Sequence, residues 1–206
     1  MCRLAHFFCQ SNPYNKMDFV THEGGDTMLF FSKTKKKSSS DSAPATFTFD
    51  KLPANLSELT LLPECSLDTP FKTAALAMAV LCNYSHDSNE TFKMLDYLNG
   101  PADFSNYEKQ FIRDRLQGQP YKPCSFFEGA SRKNGYTPTT PYSIHIYDNP
   151  YSFSEENWAT LYVKSAGADS LRPIKLRKKP STGQWFVSDI QCLSDIRMPE
   201  SEDPWA

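Results

Sequence analysis

The sequence predicts an α+β domain, about three helices packed on a C-terminal antiparallel sheet, over residues 45–206. Three observations predict it. Helix-start signals crowd the stretch from Thr69 to Ser105. Alternation of apolar and polar residues at period two dominates after Tyr142. Between them, residues 119–141 hold prolines, Gly129, Gly135 and several aromatics, the composition of a long loop with aromatic anchors.

Two segments precede that domain. Glu23-Gly24-Gly25-Asp26 can be encoded GAA-GGA-GGT-GAT, which contains an ideal bacterial ribosome-binding sequence, and Thr27 supplies a spacer before the codon of Met28. Residues 1–27 are therefore expected to be a translated leader, with Met28 the native start; the alternative is a disordered tail that uses these residues by chance. If the leader reading holds, Cys2, Cys9, His6 and His22 carry no chemistry. Residues 28–44 read as a short apolar and Lys/Ser-rich tail and linker, too polar to bury a core. At most, residues 28–37 make weak contact with an anionic membrane surface.

Inside the domain, Phe47 and Phe49 alternate with Thr46 and Thr48 as in a short strand, and the segment ELTLLPE at 58–64 reads as a strand or one helical turn. Thr69 is a good N-cap and Pro70 a good first helical residue. The helix that follows, to about Tyr84, is apolar nearly all round, which predicts a central, buried position. Asp87 with Glu90 opens the next helix, which Asn99-Gly100-Pro101 ends. Ser105 with Glu108 forms a capping box for the third, and Gly118 and Pro120 end it. In the C-terminal third, Ile144 and Ile146 share one strand face, and Ala159, Leu161 and Val163 alternate with Trp158, Thr160 and Tyr162. Residues 172–190 read as a hairpin with Ile174 and Leu176 inward and Lys175 and Arg177 outward. Helices followed by a bent antiparallel sheet suggest, by analogy of element order, the cone-shaped fold of nuclear transport factor 2-like proteins; such an analogy gives no function.

Composition excludes more functions than it suggests. A formal net charge of -2 leaves no basic footprint for nucleic acid, and no nucleic-acid partner is expected. The longest uncharged apolar run, Ala74–Cys82, falls far short of the ~20 residues a spanning helix requires. The N-terminus lacks the apolar core of a signal peptide, so a cytoplasmic location is expected and the N-x-S/T matches carry no weight. None of the six cysteines forms a C-x-x-C pair, and no metal or cofactor motif is present, so no cofactor is expected.

Few residues suggest chemistry. His145 lies mid-strand between Ile144 and Ile146, facing away from them; with Asp148 it is a weak candidate for an acid/base pair, against the plainer reading of an exposed strand histidine. His86 reads as a turn residue. Cys124, in the aromatic loop, needs a base to act as a nucleophile, and His145 is the only one the sequence offers. The segment AGADS at 166–170 lacks the glycine pattern of a phosphate loop, and KLRKK at 175–179 is ordinary for a hairpin arm. Asp203, Pro204 and Trp205 are less ordinary. A tryptophan in a solvated tail is unusual, and the three are expected to anchor the tail, by docking on the protein itself in preference to a partner.

The stretches NPYS, WATLYVKSAGADSLRPIKLRKKPSTGQWFV and SDIRMPESEDPWA resemble an uncharacterised bacterial domain family of Firmicute-type genomes, a domain of unknown function. The resemblance spans roughly 45–206, with the D-P-W-A ending its most specific element. It implies a bacterial, non-secreted protein and no assigned activity. The expectation is a non-enzymatic intracellular binding or accessory domain. The alternative is a small-molecule-binding protein or enzyme with a pocket between helices and sheet.

Overall fold

The structure, a computed structural model, describes residues 43–206. The expected leader, the tail and its membrane-surface stretch 28–37 lie almost wholly outside the described residues. Among the described residues, four helices and a five-stranded antiparallel sheet make up the α+β fold. The strands β1 (Ala45–Phe49), β2 (Tyr142–Tyr147), β3 (Trp158–Val163), β4 (Arg172–Lys178) and β5 (Trp185–Asp189) lie side by side in that order, so the sheet is a meander. Only the β1–β2 pairing spans the helical half of the chain, with Phe47 opposite Ile144.

The helices are α1 (Leu56–Thr60), α2 (Pro70–Leu81), α3 (Ser88–Asn99) and α4 (Asn106–Leu116). The short α1, capped by the Asn55 side chain, and a 3-10 turn at Pro63–Ser66 take up the segment read as strand or helical turn. At α2 the Thr69 side chain accepts from the Lys72 N–H, with Pro70 in the first turn. Ten of its residues are buried and it touches all five strands, because its alanines let the strands approach from several sides. The Thr73 hydroxyl donates to the Trp185 carbonyl at 2.9 Å and ties α2 to β5.

Asp87 caps α3 through the N–H groups of Asn89 and Glu90. Gly100 ends it at φ +92, where a Cβ would stand 2.7 Å from the Phe186 ring, so both conformation and space require glycine. The Ser105–Glu108 capping box forms at α4 as read from the sequence. Lys109 reaches back from α4 to Asp96 of α3 at 2.7 Å. The sheet's inner face, with Ile144, Ile146, Leu161, Val163, Ile174 and Leu176 fully buried, lies against α2. Its other face is a mixture of polar, charged and aromatic side chains, and that face carries the candidate site.

Candidate functional site

Strand alternation turns Ser143, His145 and Tyr147 away from the core, since Ile144 and Ile146 point into it. His145 sits opposite Thr46 of β1, whose hydroxyl oxygen lies 2.8 Å from Nδ1. On the other side, Phe127 bridges to Ile144, and this brings Glu128 alongside β2; its Oε1 lies 2.7 Å from His145 Nε2. The carboxylate set against His145 is therefore Glu128. Asp148 lies one residue beyond the end of β2 at Tyr147. Both ring nitrogens are engaged, and the adjoining cleft encloses only about 160 Å³.

A larger groove lies at the other end of this face. The capping box fixes the first turn of α4, placing Tyr107, Glu108 and Phe111 across from Trp158, Lys175 and Asp189 around a cleft of about 630 Å³. A second hollow of about 500 Å³ runs on beneath the β4–β5 hairpin, past Arg177, Lys179 and Phe186, and shares Glu108 and Ser188 with the first. The Arg177 guanidinium lies 5.1 Å over the Trp158 ring, a cation–π contact that holds both flat groups in place.

The charges of the groove are unevenly matched. Glu108 is taken up by the capping box, its Oε2 accepting from the Ser105 N–H at 2.7 Å and hydroxyl at 2.6 Å. Asp189 accepts from the Gln191 amide at 2.7 Å. Among the described residues, Lys175, Arg177, Lys178 and Lys179 enter no ion pair, although they sit on one hairpin arm. Lys175 in the first hollow and Arg177, Lys178 and Lys179 in the second, beside half-buried rings, form a surface suited to an anion that carries an aromatic group.

A third place gathers thiols. Cys82, which caps α2, and Cys124, in the 3-10 turn Pro123–Phe126, line one cleft of about 480 Å³ with His86. The imidazole that shares Cys124's cleft is thus His86; His145 is committed elsewhere. A hydrogen bond from Cys82 holds the Cys124 thiol below the ordinary thiol range, whereas burial pushes Cys82 well above it. Burial also raises Cys65, and Cys192 to about 12. Among the described residues, no group of three or more His, Cys, Asp or Glu side chains could hold a metal ion.

The C-terminal segment is attached through a residue other than the expected one. Arg132 donates to Asp203 Oδ2 at 2.7 Å and to the Met198 carbonyl at 3.0 Å, and Tyr136 donates to the Arg197 carbonyl at 2.9 Å. Pro204 is exposed, and Trp205 is 94% exposed. The expectation that Trp205 docks on its own fold is corrected: Asp203 pins the segment, and the indole stands in solvent. Asp203 also accepts from the Trp205 N–H at 2.9 Å.

Sequence reasoning missed Glu128, Tyr107, Phe111 and Phe186. An exposed aromatic in the polar first turn of α4 is a weak signal for Tyr107; the others depend on which elements meet in space. KLRKK was read as an ordinary hairpin arm because the rings beside it come from β3 and α4.

These features define a class: a small α+β domain, one sheet face sealed by a helix and the other bearing a cationic, aromatic groove. The chain belongs to the family described as Domain of unknown function (DUF6935), which matches residues 51–200. No curated protein and no solved structure matches the chain. No helix among the described residues is long and apolar enough to cross a membrane.

Proposed function

We propose that the chain is a non-enzymatic binding domain of the bacterial cytosol, and that the groove between α4 and the outer face of β3–β5 is its binding surface. The ligand class is an anion bearing a flat ring, either a small molecule or an acidic aromatic peptide side chain pair. The observation that carries this reading is a pair of adjoining hollows that share Glu108 and Ser188: Lys175 lies beside Trp158 in the cleft of about 630 Å³, and Arg177, Lys178 and Lys179 line the hollow of about 500 Å³. The engaged state of both His145 nitrogens supports binding over acid/base catalysis. The exposed indole of Trp205, next to the pinned Asp203, supports a second contact, an anchor for a protein partner.

The probe is the aromatic sulfonate 8-anilinonaphthalene-1-sulfonate. The reading expects saturable one-site fluorescence enhancement by the full chain, reduced at least ~10-fold in affinity by K175E or W158A and unchanged by H145A. Absence of saturable binding, or equal binding by wild type and K175E, overturns it.

A further inference from the structure

We infer that Cys124 and Cys82 form a peroxide-reactive dithiol, Cys124 being oxidised first and Cys82 resolving the product into a reversible disulfide. The pairing rests on placement. Cys82 is the residue on which α2 ends, and the 3-10 turn carrying Cys124 packs against α2. The two side chains line the same cleft, and each thiol shifts the pKa of the other, Cys82 lowering that of Cys124 and Cys124 raising that of Cys82. Their environments differ in the direction the chemistry needs. Cys124 is half-buried and opens on the cleft, whereas Cys82 is 8% exposed behind it. The exposed sulfur meets the oxidant; the buried one meets only its neighbour.

The other described cysteines lack this arrangement. Cys192 is fully buried, and its S–H donates to the Met78 thioether at 3.7 Å, a sulfur that cannot form a disulfide. Cys65 lies in the Pro63–Ser66 turn, away from this cleft's lining. The neighbouring Cys82 also lowers the pKa of the Cys124 thiol, which favours the thiolate at that sulfur. His86 and Lys51 line the same cleft, Lys51 being paired with Glu58 at 2.8 Å.

The steps balance with a hydroperoxide as the oxidant. The Cys124 thiolate attacks the terminal oxygen of R–O–O–H. The O–O bond breaks, an S–O bond forms, and the leaving alkoxide takes the proton that Cys124 released, giving R–OH and a sulfenic acid. The Cys82 sulfur then attacks the Cys124 sulfur. The S–O bond breaks, the S–S bond forms, and the hydroxyl leaves with the Cys82 proton as water. Two thiols have lost two electrons to the peroxide. A small-molecule thiol returns the pair to its reduced state by exchange.

The test uses the full chain, fully reduced and then exposed to sub-stoichiometric and equimolar hydrogen peroxide. Two of the six thiols should disappear with a mass loss of ~2 Da, and peptide mapping should join Cys82 to Cys124. In C82S the reaction should stop at a Cys124 sulfenic acid that dimedone traps; in C124S, Cys82 should stay reduced. Dithiothreitol should restore both thiols. Oxidation rates in the wild-type chain alone also decide the matter, should a variant fail to fold: Cys124 should react at least ~10-fold faster than Cys65 and Cys192. Equal rates, or oxidation of Cys124 without a link to Cys82, overturn the inference.

Discussion

The two faces of the sheet are built on different principles. On the inner face Ile144, Ile146, Leu161, Val163, Ile174 and Leu176 are aliphatic side chains at zero exposure, matched against a helix of alanines, leucines and methionine. On the outer face the same strands present Ser143, His145, Trp158, Thr160, Lys175 and Arg177, half-buried or exposed, and hydrogen bonds or ring stacking set their positions. The inner face is close-packed, so its energy lies in volume and contact. The outer face leaves its charges uncompensated beside a groove, which adds little stability and retains the capacity to bind. The comparison teaches that the information on function sits where packing does not dictate the residue.

The largest effect should come from the inner face. Truncating Leu76 or Leu161 removes a fully buried side chain and leaves a cavity that the packed α2–sheet layer cannot close. L76A and L161A should each cost ~3 kcal/mol, lowering the melting temperature by ~6–12 °C. Binding of the aromatic sulfonate, measured well below the melting point, should persist. A cost under ~1 kcal/mol would mean that the core is looser than its burial indicates.

The groove should show the opposite pattern. W158A removes a half-buried ring and its Arg177 contact, with a stability cost of ~1–2 kcal/mol. K175E exchanges an exposed side chain and should change stability by less than ~0.5 kcal/mol. Both should weaken sulfonate binding at least ~10-fold. Calorimetric melts paired with fluorescence titrations separate the two effects; parallel losses of stability and binding in K175E would break the distinction between the faces.

The extent to which the chain was legible follows the same division. The helix starts at Thr69, Asp87 and Ser105 and the alternation of β3 and β4 are local patterns, and each formed where the sequence placed it. The short α1 was ambiguous because five residues hold too few turns to declare a period. The site was much less legible. Glu128 meets His145 because a loop residue, Phe127, bridges to β2, and no spacing rule records that. Cys82 and Cys124 share a cleft because a loop turn packs on the end of α2. Alternation did tell which way His145 faces, because its neighbours Ile144 and Ile146 belong to the core.

The His145 contact gives a smaller effect on the same face. Glu128 is half exposed, so the pair with His145 is screened. E128Q and H145A should each cost less than ~1 kcal/mol. Neither should alter sulfonate binding, because that groove is lined by other residues. Chemical denaturation curves check the first statement. A loss of binding in H145A would join the two ends of the outer face into one site.

The smallest effects belong to the C-terminal segment, and they test which residue anchors it. Asp203 is partly buried against Arg132, which also holds the Met198 carbonyl, so R132A removes two contacts and should cost ~1 kcal/mol, a shift of ~2–4 °C. W205A should leave the melting temperature unchanged, since an indole 94% exposed contributes almost no burial. Removing residues 199–206 should then match R132A rather than exceed it, apart from the contribution of buried Pro199. If W205A alone reproduced the deletion, the ring would dock in solution after all. If instead W205A is silent in melts and yet weakens recovery of a protein partner by the full chain, the tryptophan acts outward, as the unpaired cations of the groove do.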